Sequence, residues 1–222
     1  MQTGAEMFRK LRDNVTGEPY IKDTKSTQCY RRTISALAWP YGQENGSVIT
    51  LGERYSLPSQ LGGRRHIHVL KEVRSCDSEE LLQSASLMQS RYVVDVLVTP
   101  IDDERFLFLE EYNDRQRQAR LPLLRADNPV NWHGRGEGLL PYYASLVSRR
   151  LGAEKSLYFG GDCSGSLELE RLSPDDARRN MLDFPGVCAL CWALEYLDAN
   201  PLSEWGERRG GERGPADLIG GY

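Results

Sequence analysis

Residues 31–100 decide the fold, and they read RRTISALAWP YGQENGSVIT LGERYSLPSQ LGGRRHIHVL KEVRSCDSEE LLQSASLMQS RYVVDVLVTP. Strand-like segments over 33–39, 47–55 and 65–73 are separated by Pro, Gly and Asn-Gly, which are turn residues. An amphipathic helix and a fourth strand follow. The order β-β-β-α-β predicts an α/β fold with a mixed sheet flanked by helices, in which the helix makes a right-handed crossover.

The helix and its flanking strands carry clear signals. Asp77 is the predicted N-cap, with a carboxylate three residues later. Helical spacing then forms one apolar stripe from Leu81, Ala85, Met88 and Tyr92. The short apolar run 93–98 is typical of a strand covered on both faces. In the third strand, the period-2 alternation places the side chains of Ile67, Val69 and Val73 on one face.

The second half of the chain is predicted to be more helical. Helices are expected over 104–118 and 138–151, from Ser173, and from Asp183, where the last helix is apolar nearly all round and therefore buried. Short strands are expected at 121–124 and 156–159. We expect three regions, an N-terminal arm or short helix that packs on a larger body (1–28), a single domain (29–202) and a flexible C-terminal tail (203–222).

Composition places the chain among ordinary globular proteins. It has 222 residues, 40% hydrophobic and 27% charged, with a net charge of −4, so a strongly basic footprint for nucleic acid is absent overall. No membrane span or signal peptide is expected, and a cytoplasmic location follows as the default expectation. The five scattered cysteines are expected to be reduced thiols, and the Cys188/Cys191 pair is interpreted as core because a second half of a zinc site is missing.

Several enzyme classes are excluded by missing motifs. The sequence contains neither a P-loop nor a Gly-x-Ser-x-Gly nucleophile elbow, and its Gly-Gly pairs lack the setting of a dinucleotide fingerprint. His66 and His68 lie two apart on a predicted strand and share a face, which would allow joint metal binding. Exposed or edge histidines are the alternative interpretation. His133 lies in a Gly-rich loop and is a weaker candidate.

Acidic residues are the main candidates for chemistry. Two-metal phosphodiester cleavage requires carboxylates that converge on ions about 4 Å apart. The candidates are Glu53, Glu72, Asp95, Asp102, Asp103 and Asp183. Asp95 interrupts an apolar strand and therefore needs a cation, a metal or a helix end as its partner. The alternative for Asp102, Asp103 and Asp183 is helix capping.

Three segments carry a family resemblance, namely Tyr30-Arg-Arg with Leu37-Ala-Trp-Pro-Tyr-Gly, His66-Ile-His-Val-Leu-Lys-Glu-Val, and Asp183-Phe-Pro. Over about residues 30–200 the chain resembles the nuclease domain of phage terminase large subunits. The resemblance implies a ribonuclease-H-like fold, use of Mg²⁺ or Mn²⁺, and cutting of concatemeric DNA during packaging by a phage or prophage. Where the family has a first-strand Asp, this chain has Ala36, Leu37 and Ala38.

The resemblance also implies site residues and partners. Asp95, Asp102, Asp103 and Asp183 would be catalytic, with Asp95, Asp102 and Asp183 as metal ligands. Double-stranded DNA would be the substrate, and a separate packaging ATPase or another phage assembly protein would be the protein partner. Phosphate contacts are expected from Arg64, Arg65, Arg115, Arg117, Arg149 and Arg150. Two hypotheses follow, namely a terminase-like nuclease whose catalysis is retained or degenerate, and a non-catalytic assembly or adaptor protein on the same scaffold.

Overall fold

The computed structural model describes residues 8–14, 17–40, 45–54, 65–130, 140–160, 168 and 183–202. Its strands are β1 Phe8–Arg12, β2 Pro19–Asp23, β3 Cys29–Ala38, β4 Gly46–Arg54, β5 Ile67–Ser75, β6 Leu97–Val98, β7 Ala126–Asp127 and β8 Leu157–Phe159. Its helices are α1 Ser78–Tyr92, α2 Asp103–Gln118, α3 Leu140–Leu151 and α4 Pro185–Ala199. Among these helices, none is long and apolar enough to cross a membrane.

One mixed sheet organises the described chain. Strands β3, β4 and β5 form an antiparallel meander. Strand β6 pairs in parallel with the second half of β3, and β7 pairs in parallel with β6. Strand β8 adds in parallel to β5 at the opposite edge. Helices pack on both faces, so the predictions of an α/β mixed sheet flanked by helices and of the β-β-β-α-β order over residues 31–100 are confirmed.

Two apolar cores lie on opposite faces of the sheet. On one face, α4 packs against β3 and β4, and α3 packs against α4 through Leu146 and Val147. On the other face, α1 supplies the predicted stripe and packs with residues of β1 and α2. Helix α4 is buried almost throughout, including Cys188 and Cys191, which confirms their interpretation as core residues.

A β-bulge in β5 overturns one predicted face. The neighbouring pairs Thr50↔Lys71 and Leu51↔Val69 leave Leu70 as an extra residue in β5. An extra residue reverses the alternation of side chains beyond it. Val69 therefore belongs to the core under α4, whereas Val73 packs in the core under α1. The prediction that Val73 shares a face with Ile67 and Val69 was wrong, and the residues that take its place under α4 are polar.

Other local predictions were corrected by tertiary contacts. The fourth strand is only two residues long, because Val93 adopts a left-handed conformation as the C-cap of α1. In residues 8–23, the predicted arm forms a β-hairpin, rather than a short helix, that joins β3 through β2. The strand expected at 121–124 lies instead at β7. The helix start at Ser173 and the tail at 203–222 lie outside the described residues.

Buried ion pairs hold the carboxyl end of α4 on the sheet. Arg32 and Arg65 both donate to the carbonyl oxygen of Leu197, at 3.0 and 2.9 Å. Glu53 bridges the two guanidinium groups at 2.8 Å each, and its side chain is 3% exposed. Cations at a helix carboxyl end satisfy its free carbonyl groups and oppose its dipole. This cluster therefore fixes where α4 ends.

We expect the Glu53→Gln variant to lose about 3 kcal/mol of unfolding free energy at neutral pH, because two partly buried arginines lose their common carboxylate. Burial raises the pKa of Glu53, but the hydrogen bonds and charges of Arg65 and Arg32 outweigh it and lower the net value from the usual 4.5. The stabilisation is thus fully present above about pH 4.5 and lost as pH falls through the folded pKa.

Urea unfolding of the wild type and the variant at neutral and acidic pH tests this. The difference between them should shrink as the pH drops below 4.5. The control is Glu79→Gln, which removes the more exposed ion pair with Arg115 and should cost at most about 1 kcal/mol. Equal losses in the two variants would contradict the role given to Glu53.

Candidate acidic site at the amino end of the last helix

A buried polar cluster lies where β4 begins, β5 ends and α4 begins. Glu72 and Arg74 project toward α4, because the bulge at Leu70 has reversed the alternation of β5. Ser47 is the β4 partner of Arg74 in the sheet. Glu168 completes what we call the Glu72–Arg74–Glu168 cluster. It is the only described residue between 160 and 183.

Arg74 bridges the two carboxylates. Its Nε lies 2.7 Å from Glu72 Oε1, and its Nη2 lies 2.6 Å from Glu168 Oε1. Ser47 also donates to Glu72 Oε1, at 3.2 Å. The Glu72 and Glu168 side chains are 1% and 10% exposed, whereas Arg74 is 30% exposed. The guanidinium group thus offsets one of the two negative charges of an acidic pair that is largely withdrawn from water, where a carboxylate needs a cation.

Glu168 also binds the first turn of α4. The backbone N–H of Val187 donates to Glu168 Oε2 at 3.0 Å, which satisfies one of the free amides of the helix end. Burial raises the pKa of Glu168, and the nearby charge of Glu72 acts in the same direction. The charge of Arg74 and the α4 amides oppose this rise. The cluster therefore anchors the amino end of α4 to β5.

Gly186 makes this close approach possible. A Cβ atom at that position would lie 2.6 Å from Arg74 Nη2, 2.8 Å from Glu168 Oε2 and 2.9 Å from Glu72 Oε1. These separations are shorter than any normal contact, so a side chain here would push the helix away from the cluster. Glycine is required at this position by space.

The predicted residue Asp95 lies away from this cluster. It precedes β6, its amide donates to the Thr33 carbonyl, and its side chain is 52% exposed. Its cation partner is Lys10, at 3.8 Å. The expectation that Asp95 has a partner was correct. Its placement inside a strand covered on both faces was wrong, because the strand begins only at Leu97 and Asp95 lies in the connection between α1 and β6.

The other three predicted aspartates lie toward the same end of the strands as the cluster, where β3, β5 and β6 end and β4 begins. Asp102 is the N-cap of α2, accepts from the Arg105 amide at 2.9 Å and pairs with the Arg105 side chain. Asp103 occupies the exposed first turn of that helix. Asp183 is exposed and two residues ahead of α4, whose N-cap is Phe184. Capping, the alternative interpretation, is thus correct for Asp102 and incorrect for Asp183.

These positions do not form one metal-binding set. Asp95 and Asp102 lie at opposite ends of β6, since one precedes the strand and the other follows it. Within the described residues, no group of three or more His, Cys, Asp or Glu side chains could hold a metal ion. The buried carboxylates that do converge, Glu72 and Glu168, already share the guanidinium group of Arg74. The described residues therefore do not fit the Mg²⁺ or Mn²⁺ site that was predicted.

Sequence reasoning named Glu72 as one candidate among six and missed Arg74 and Glu168. Ala36 pairs with Ile49, which pairs with Glu72, so this carboxylate lies two strands from the acid-free position of the first strand. The available signal was the polar alternation at the end of β5. Nothing local marks Glu168, because its partners are far away in the sequence.

The predicted phosphate-binding arginines are also engaged within the protein. Arg64 lies outside the described residues. The remaining five form ion pairs, which are Arg65 with Glu53 and Asp198, Arg115 with Glu79, Arg117 with Asp114, Arg149 with Glu154, and Arg150 with Asp198. Any phosphate contact by these residues would compete with an existing carboxylate.

No protein-family model matches the sequence, and no curated protein matches it. Solved structures do. The nuclease domain of the large terminase of bacteriophage SPP1, solved with bound Mn, is 11% identical with a TM-score of 0.46, covering 74% of this chain and 86% of that chain. The Holliday junction resolvase of fowlpox virus is 12% identical with a TM-score of 0.38, and the match covers 76% of this chain and 99% of that chain. The same resolvase with Holliday junction DNA is 10% identical with a TM-score of 0.40, covering 75% and 98%. The likeness is diffuse and concerns architecture.

We expect Gly186→Ala to destabilise the protein by about 1–3 kcal/mol, because the new methyl group overlaps the cluster. The sign of the change in unfolding free energy is informative, since alanine normally stabilises a helix interior by about 1 kcal/mol relative to glycine. Urea unfolding provides the measurement. The control is Gly152→Ala after α3, where an added Cβ would meet only the Ser148 carbonyl, at 3.2 Å. A Gly186→Ala protein that is more stable than wild type would refute the packing described.

Proposed function

We propose that this protein is a terminase-like nuclease-fold protein that contacts double-stranded DNA and whose metal-dependent cleavage is reduced or lost. The observation that carries the proposal is the Arg74 guanidinium group between Glu72 and Glu168. At the end of the strands where Asp102, Asp103 and Asp183 also lie, the buried acidic pair has an internal cation. Arg74 binds one oxygen of each carboxylate and offsets one of their two negative charges, so a metal ion would have to displace the guanidinium group to bind both carboxylates.

The β1–β2 hairpin supplies the surface that we assign to DNA. Its exposed cations are Arg9, Lys10, Arg12, Lys22 and the adjoining Lys25. Arg9 and Lys22 are directly opposite each other across the two strands, which places two of these cations side by side on the hairpin. Exposed cations grouped in this way can contact the phosphates of a duplex without reading its sequence.

A plasmid-nicking assay tests the loss of cleavage. We expect supercoiled plasmid in millimolar Mn²⁺ or Mg²⁺ to be cut by the wild type no faster than by Asp183→Ala. Arg74→Gln should unfold more readily, because two buried carboxylates lose their cation. Rapid cutting by the wild type that disappears in Asp183→Ala would overturn the proposal and show that the exposed aspartates form an active site.

DNA binding is tested separately by the salt dependence of duplex affinity. Each phosphate contact contributes about 1 to the slope of log affinity against log salt. We expect Lys22→Gln to reduce the slope by about 1. Lys155→Gln should leave it unchanged, since Lys155 is an exposed lysine beside β8 at the opposite edge of the sheet. Equal slopes for both variants and wild type would remove the hairpin from the interface.

The non-catalytic assembly or adaptor protein is the second candidate. The observation that favours it is the internal pairing of the five described arginines that were expected to contact phosphates. Under this alternative, the expected partner is a separate packaging ATPase or another phage assembly protein. Absence of both cleavage and salt-dependent duplex binding in the two assays would support it over the first candidate.

A further inference from the structure

A second concave site lies at the other end of the sheet and on its other face. This aromatic pocket has a volume of about 550 Å³, and its walls include Phe8, Tyr30, Tyr92, His66, His68 and Tyr158. It forms where β3 and β5 begin and β4 ends. The Glu72–Arg74–Glu168 cluster lies at the opposite end of β5. The pocket size is within the usual range for small-molecule sites, about 300–1,000 Å³.

The floor of the pocket depends on Gly52. A Cβ atom at this position would lie 2.5 Å from Cδ1 of the Tyr30 ring. Because β4 has no side chain there, the Tyr30 ring lies over the strand, and its hydroxyl approaches His68 on β5. Phe8 and Tyr92 pack behind Tyr30 in the core. The aromatic floor is thus held rigidly by buried groups.

Polar groups in the pocket form a small network. The Oε1 atom of Gln28 accepts a hydrogen bond from the Tyr30 hydroxyl at 2.6 Å and lies 3.1 Å from His68 Nδ1. Burial lowers the pKa of His68 to about 4, and the charges of Arg54 and His66 act in the same direction. His68 is therefore neutral at physiological pH. If its Nδ1 donates to Gln28, its Nε2 is an acceptor.

The rim of the pocket combines a stack of rings with a cation. His66 and Tyr158 are stacked, with ring centroids 5.4 Å apart and planes 11° apart, and Tyr158 is 40% exposed. Arg54 and Asp23 are the charged residues of the described pocket lining, apart from the two histidines.

We propose that the aromatic pocket binds a nucleotide, with the base against the rings of Tyr158 and His66 and the phosphate near Arg54. A nucleobase has a π-face for stacking and an edge that pairs with neutral donors and acceptors such as His68 and Gln28. The same chemistry is offered by a free nucleotide and by an unpaired nucleotide of a DNA strand. The proposal goes beyond the proposed function, because the pocket is separate from the cluster, and the hairpin cations assigned to duplex DNA are not among its described lining residues.

The test is titration of the full-length protein with deoxyadenosine monophosphate, deoxyadenosine, inorganic phosphate and a single-stranded oligonucleotide, followed by calorimetry. We expect Tyr158→Leu to weaken nucleotide and nucleoside binding about tenfold, through loss of stacking. Arg54→Gln should weaken nucleotide binding but leave the nucleoside unaffected. The matched controls are Phe106→Leu, an exposed aromatic residue on α2, and Arg125→Gln, an exposed arginine before β7.

Thermal unfolding of each variant confirms that it is folded. Tighter binding of the oligonucleotide than of the mononucleotide would identify a DNA strand as the source, and the reverse would identify free nucleotides. No binding of either by wild type, or binding unchanged in both pocket variants, would overturn the proposal. That failure is distinguishable from failure of the proposed function, because Lys22→Gln and the duplex salt slope report on a different surface.

Discussion

The burial of α4 is the constraint on which the rest of the structure depends. This helix is apolar on nearly every side and lies between the sheet and α3, and its burial extends from Pro185 to Leu197, whereas Asp198 and Ala199 are exposed. Free amides and carbonyl groups at buried helix ends must find partners. At the carboxyl end, Arg32 and Arg65 supply them and Glu53 balances their charge. At the amino end, Glu168 supplies an acceptor and Arg74 balances its charge.

These two requirements explain why ion pairs lie at both ends of α4 in this protein. The amino end of α4 needs an acidic acceptor, and a buried acidic acceptor needs a cation. A guanidinium group meets that need permanently, and Gly186 provides the space in which Arg74, Glu72 and Glu168 meet the helix. The arrangement stabilises the fold, and it also engages both buried carboxylates with a guanidinium group that an external ion would have to displace.

Much of the fold could be predicted from local patterns. The three-strand meander, the stripe of α1 with its Asp77 cap, and the buried final helix each have a periodic or capping signal within a few residues. The corrections arose where a single residue changed a pattern. Leu70 reversed the faces of β5, and the left-handed Val93 is followed by a connection through residue 96, which shortens the next strand. Asp95 consequently lies outside the core, with Lys10 as its partner.

The sequence by itself determined the succession of three strands, a helix and a fourth strand over residues 31–100. It also determined which helix is buried and that the first strand of this succession has no acidic residue, because each of these properties depends on neighbours along the chain. Only the tertiary structure decided which acidic residues meet. Glu72 and Glu168 converge because a bulge turns one strand and α4 returns to its end, and the aromatic pocket forms because Tyr30 crosses β4 at Gly52. Contacts between residues far apart in sequence leave no periodic signal, since their geometry is set by packing.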